Sequence, residues 1–98
     1  MTAKLDDTNI EHRIVMMVTN GKTQELIQLL ENHQYNFNIN SALNFRGDTL
    51  LHYACYKNNK ELVKYLTDRE EIKRTLKNDA LKRPKSLTTD EDIKRMCS

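Results

Sequence analysis

The chain has 98 residues, a formal net charge of +2, 38% apolar and 31% charged residues. That is room for a single small domain, too apolar and too nearly neutral for a chain disordered throughout. The balance excludes wholesale nucleic-acid binding on charge alone, and no apolar run approaches the roughly 20 residues that cross a bilayer. Met1 to Ile10 holds no apolar stretch of the kind a secretory signal needs. Two Gly and one Pro are few for a sandwich or barrel, which needs both in its turns. The two cysteines, Cys55 and Cys97, make no metal spacing and no disulfide framework. None of the ten Asn stands in an Asn-x-Ser/Thr sequon. These features predict an intracellular, cytoplasmic or nuclear, mostly helical domain.

In chain order, Ile10, Ile14, Met17 and Val18 form an i, i+4, i+7, i+8 stripe, the mark of one helix face. Asn20-Gly21 ends that helix, because a left-handed residue closes a helix at little cost there. A second helix follows, with Leu26, Ile27, Leu29 and Leu30 as its stripe. Asn36, Asn38 and Asn40 alternate with Phe37 and Ile39, which predicts an extended or turn-rich connection. Gly47 supplies a tight turn and Thr49 a helix N-cap. Leu51, Ala54 and Cys55 share one face of the helix that follows. Asn58-Asn59 breaks it, and Leu62, Val63, Tyr65 and Leu66 begin another. Pro84 then starts a shorter segment containing Leu87, with Ile93 and Met96 beyond. Asp90, Glu91 and Asp92 precede that last stretch as N-terminal helix acids.

Helix, turn, helix, loop is therefore repeated, and the two full pairs superpose. Leu26 and Leu29 stand to Asn20-Gly21 as Val63 and Leu66 stand to Asn58. Gly47-Asp48-Thr49-Leu50-Leu51-His52-Tyr53-Ala54 resembles an ankyrin repeat, whose pattern there is Gly-x-Thr-Pro-Leu-His-x-Ala, with Leu50 in place of Pro. Glu61 to Leu66 is similar to that family's second helix. Phe37-Asn38-Ile39-Asn40 is similar to its Ala-Asp-Val-Asn, and Arg83 to Thr88 resembles a shortened last repeat in which Lys85 and Thr88 replace small or apolar residues.

The resemblance implies an all-α solenoid of about three stacked helix pairs with hairpin-like fingers, one domain over 1–98. Its expected parts are an N-terminal capping repeat (10–43), a central repeat (44–77) and a degenerate C-terminal cap (78–97). Gly47 would take the strained turn, Thr49 and His52 would hydrogen-bond each other and nearby backbone, and Ala54 would allow close helix approach. Leu51, with Leu29 and Leu66, would lie in one continuous interior. Because one repeat cannot bury its own apolar face, so short a stack is stabilised by its neighbours, and self-association is a further expectation.

The function implied is a non-enzymatic adaptor or regulator that binds another protein through the concave fingertip and inner-helix face. Mapped onto this chain, that face comprises Phe45, Arg46, Asp48, Tyr56 and Lys57, with Lys82 extending it. Aromatic and Arg side chains dominate interface energies, and Phe45 and Tyr56 have no place in the core stripe. No cofactor, metal or membrane partner is expected. His12, His33 and His52 show no ligand spacing. A Cys55–His52 nucleophile is conceivable at helical spacing, but no oxyanion hole accompanies it. The alternative is contact with nucleic acid or a ribonucleoprotein. Residues 57–98 carry 12 Lys/Arg against 8 Asp/Glu, and Lys73, Arg74, Lys77, Lys82, Arg83 and Lys85 surround a single acid, Asp79. Lys82-Arg83-Pro84-Lys85 also fits a short basic nuclear-import pattern.

Overall fold

The computed structural model describes residues 7–32 and 37–98. The predicted positions His33 and Asn36 lie outside them. Five α-helices and one 3-10 helix follow each other: α1 (Asp7–Thr19), α2 (Thr23–Glu31), α3 (Leu50–Tyr56), α4 (Lys60–Thr67), the 3-10 helix Pro84–Leu87, and α5 (Glu91–Met96). There is no strand among the described residues.

The turns within the first two pairs are each closed by a left-handed residue. Gly21 has φ +73° between α1 and α2, and Asn58 has φ +52° between α3 and α4. Asparagine tolerates that region better than other side chains do. The apolar stripes then meet in two layers. α1 packs on α3 and α3 on the 3-10 helix; behind them α2 packs on α4 and α4 on α5. Within each pair the two layers touch, so every pair rests only on its neighbours, as in a solenoid. The result is elongated, 45 × 27 × 25 Å.

One apolar seam runs the length of this stack. Ile10, Ile14 and Val18 of α1 join Leu26 and Leu29 of α2, then Leu50, Leu51, Ala54 and Cys55 of α3. Leu62, Val63 and Leu66 of α4 continue it to Ile93 and Cys97. Each fully buried Leu or Ile stabilises by roughly 1.5–3 kcal/mol relative to exposure. Leu29, Leu51 and Leu66 lie in that single interior.

The third pair departs from a pure α pattern. Pro84 begins a four-residue 3-10 helix in place of a full α-helix. Pro84 itself is buried, Thr88 is buried, and Lys85 points to solvent. Thr88 is accommodated because its hydroxyl bonds the Asn58 side-chain oxygen and accepts the Asp90 N–H at 3.1 Å. Asp90 caps α5, accepting from the N–H groups of Asp92 (2.8 Å) and Ile93 (3.2 Å). Polar bonds also tie the outer layer: Asn59 donates to Thr23 Oγ1 at 2.8 Å, and Lys60 reaches Asp92 at 3.0 Å.

Candidate functional site

The loops before α3 and before the 3-10 helix are built alike. Asn44 Oδ1 accepts the N–H groups of Arg46 (2.9 Å) and Asp48 (3.1 Å). Asn78 Oδ1 accepts those of Ala80 and Lys82, both at 3.0 Å. Such asparagine turns replace backbone partners that a tight loop lacks. Both tips require a left-handed residue, Gly47 at φ +80° and Leu81 at φ +62°.

The two fingers are fastened side by side. Asp79 N–H donates to the Arg46 carbonyl at 2.7 Å, and Asn78 Nδ2 to Asp48 Oδ1 at 2.8 Å. At Gly47 a Cβ would lie 3.2 Å from Asp79 Oδ1 and 3.5 Å from Asn78 Cα, so a side chain there would press on the neighbouring finger in addition to the strain of its backbone angle.

His52 makes the remaining link. It is buried, and its Nδ1 accepts the Thr49 N–H at 3.1 Å while Thr49 Oγ1 lies 2.9 Å away. With Nδ1 accepting, the proton sits on Nε2, which donates to the Lys82 carbonyl at 2.9 Å. Thr49 and His52 thus form a capping box at the start of α3. The histidine also joins that box to the next finger. Both ring nitrogens have partners, so His52 is not placed as a base for Cys55, whose Sγ contacts Cys97 instead. The two cysteines, 42 positions apart in the chain, are free thiols whose sulfurs lie 3.4 Å apart.

Between the fingers and the inner helices lies an open cleft of about 350 Å³. Arg46, Asp48 and Asn78 line it from the fingers, His52, Tyr53 and Tyr56 from α3, and Leu87 from the 3-10 helix. Tyr53 is held in place by Asn44 Nδ2, which donates to its hydroxyl at 3.0 Å and to Asp48 Oδ2 at 3.0 Å. Burial alone would push the Asp48 carboxyl up. The hydrogen bonds from Asn44 and Asn78, with His52 and Arg46 close by, outweigh it and hold the group below the usual carboxylate value. An ionised Asp48 therefore sits beside two tyrosines, with Arg46 Nε 3.6 Å away.

Of the residues singled out from sequence, the structure brings Arg46, Asp48 and Tyr56 together in the cleft. Phe45 stands on the fingertip, 102% exposed relative to a free residue, and Tyr56 is 68% exposed. Lys57 is the exposed C-cap of α3. The Lys82 side chain is exposed beyond the cleft lining, and its carbonyl serves the fold. Sequence reasoning missed Tyr53, Asn78 and Leu87. Tyr53 occupies the variable position between His52 and Ala54, and Asn78 repeats Asn44; those were the available signals. Gly47, Thr49, Leu51, His52 and Ala54 all make contacts within the scaffold. Among the described residues no three His, Cys, Asp or Glu are grouped to hold a metal ion. No helix among them is long and apolar enough to cross a membrane.

Two-layered helix pairs with fingers on one side define a repeat protein of the solenoid class. A family profile described as ankyrin repeats (3 copies) matches residues 5–83, and the chain belongs to the ankyrin-repeat family. The match ends one residue before the 3-10 helix, so the last helix pair lies beyond it. No curated protein and no solved structure matches the chain. Ankyrin repeats are in general non-catalytic modules for protein–protein interaction.

Proposed function

We propose that this protein is a small adaptor or regulator that binds a protein partner through the cleft between its two fingers and the inner helices. The observation that carries this reading is the juxtaposition at that cleft. Tyr53, Tyr56 and Leu87 offer apolar surface, Asp48 and Arg46 offer polar contacts, and the fully exposed Phe45 projects from the adjacent tip. A fully exposed Phe gains most from being covered, and rigid aromatic side chains lose little entropy when they are. About 350 Å³ is within the range of sites that accept a single large side chain or a small ligand. A partner would insert one apolar side chain between the tyrosines and satisfy Asp48 with a backbone or side-chain N–H. A standard interface covers about 800 Å² per partner, which would extend from this cleft over Lys57 and Lys82.

The test is capture of partners by immobilised wild type, Phe45→Ala/Tyr56→Ala, and a Lys64→Ala/Asp68→Ala control on the outer layer. A protein retained by wild type and the control, and lost from the aromatic double variant with helicity unchanged, supports the assignment. Equal retention by all three removes it. Retention through nucleic acid, abolished by nuclease and by moderate salt, would move the function to Lys82, Arg83 and Lys85. These residues are exposed and make no ion pair among the described residues.

A further inference from the structure

The two cysteines stand 42 positions apart in the chain, yet their Sγ atoms are 3.4 Å apart in the core. Both thiols are free and buried. Cys55 belongs to α3, the inner helix that carries Tyr53 and Tyr56; Cys97 is the C-cap of α5 in the outer layer of the last pair. We propose that Cys55 and Cys97 are a reversible dithiol–disulfide pair that fastens the last helix pair to the central inner helix.

Geometry permits the bond. A disulfide needs the sulfurs at about 2.05 Å, so about 1.4 Å must close, which side-chain rotation and a small shift of α5 supply. α5 has only six residues, follows every other described helix in the chain, and packs on α4 and the 3-10 helix. Opening of α5 is also what exposes the pair to an oxidant, since short elements of this kind open locally well before the whole fold does.

The chemistry assigns an order to the two thiols. The hydrogen bond shared by the two thiols raises the pKa of Cys55, with burial adding to it, and lowers that of Cys97. The positive charges of Arg74 and Lys85 lie near Cys97 and act in the same direction there. Cys97 is then the attacking sulfur and Cys55 the resolving one. With a low-molecular-weight disulfide such as glutathione disulfide as oxidant, the Cys97 thiolate attacks one glutathione sulfur. The S–S bond of the oxidant breaks, and the first glutathione leaves as a thiolate that takes up a proton. Cys55 next gives up its proton and attacks Cys97 Sγ, and the second glutathione leaves. Two protein thiols lose two electrons in total, and one glutathione disulfide becomes two thiols.

The consequence is independent of what the cleft binds. Closing a loop of 42 residues restricts the unfolded chain, and it holds α5 against α3 in the folded one. The measurement uses the full chain, reduced and then equilibrated in native buffer with glutathione and glutathione disulfide at set ratios. Free thiols are blocked by alkylation, and the disulfide is located by peptide mass spectrometry. The expected result is a monomeric product with an intrachain Cys55–Cys97 bond, and a thermal midpoint raised by about 10 °C or more. Dithiothreitol returns the midpoint to its reduced value, and Cys97→Ala and Cys55→Ala show no response to the oxidant. Complete alkylation of both cysteines at oxidising ratios, a product joined between chains, or a midpoint lowered by oxidation would each overturn the proposal. The wild-type comparison alone decides the matter if either variant fails to fold.

Discussion

Gly47 and Leu81 occupy the same left-handed place on successive fingers, at φ +80° and +62°, and one is the residue that place favours while the other is not. Exchanging them in opposite senses should change stability in opposite directions. Gly47→Ala puts a Cβ into the left-handed region, which costs roughly 1–2 kcal/mol. The Cβ would also meet Asp79 Oδ1 at 3.2 Å and Asn78 Cα at 3.5 Å, where the neighbouring finger is pinned by the Asp79 N–H bond to Arg46. Some of this is offset by the smaller conformational freedom of Ala in the unfolded chain, about 0.4–1 kcal/mol. Net destabilisation of about 1–2 kcal/mol is expected. Leu81→Gly relieves a similar strain at a side chain that is 74% exposed and so loses little packing. Unfolded-state entropy opposes that gain, leaving about 0–1 kcal/mol of stabilisation.

Urea unfolding followed by far-ultraviolet circular dichroism measures both. With a slope of about 1–1.5 kcal/mol per molar for a domain of this size, Gly47→Ala should lower the midpoint by roughly 1 M. Leu81→Gly should leave it unchanged or raise it by up to about 1 M. A Gly47→Ala midpoint equal to or above wild type would refute the reasoning, because it would mean that neither the backbone angle nor the contact with the neighbouring finger constrains this position. A fall on Leu81→Gly larger than about 1 kcal/mol would show that the leucine contributes contacts its exposure does not reveal.

Two further outcomes follow from the bonds between fingers. Asp48 has a folded-state pKa held below its unfolded value, so its contribution to stability is present above about pH 4 and is lost as pH falls through the folded value. The stability difference between wild type and Asp48→Asn should therefore be constant from pH 5 to 8 and shrink below pH 4; a difference that grows on acidification would contradict it. His52→Ala removes a buried ring, leaves the Thr49 N–H and Lys82 carbonyl without their partner, and should cost about 2–4 kcal/mol in chemical denaturation. A loss under 1 kcal/mol would mean that the fingers are held by Asn78 and Asp79 alone.

Much of the architecture was legible because its causes are local. The stripe from Ile10 to Val18, the left-handed closures at Gly21 and Asn58, and the Thr49–His52 cap depend on residues within one or two turns of each other. The shortening of the third pair was less so. Pro84 marks its start in either helix type, and nothing nearby distinguishes four residues of 3-10 helix from a longer α-helix. Thr88 reads as a misfit for an apolar slot, and its burial becomes intelligible only through Asn58, thirty positions earlier. The cleft was half visible. Arg46, Asp48 and Tyr56 follow from the central repeat taken alone, whereas Asn78 and Leu87 enter because the next repeat forms the opposite wall.

The amino-acid order by itself determined the helix pairs, their turns and the repeat that makes them stack, since periodicity, capping and glycine placement act over a few residues. Only the tertiary structure decided which finger residues share a cleft, where the His52 proton is shared, and that Cys55 meets Cys97. Those outcomes depend on how one pair settles against the next, and a displacement of an ångström or two between layers, invisible in any local pattern, separates contact from its absence.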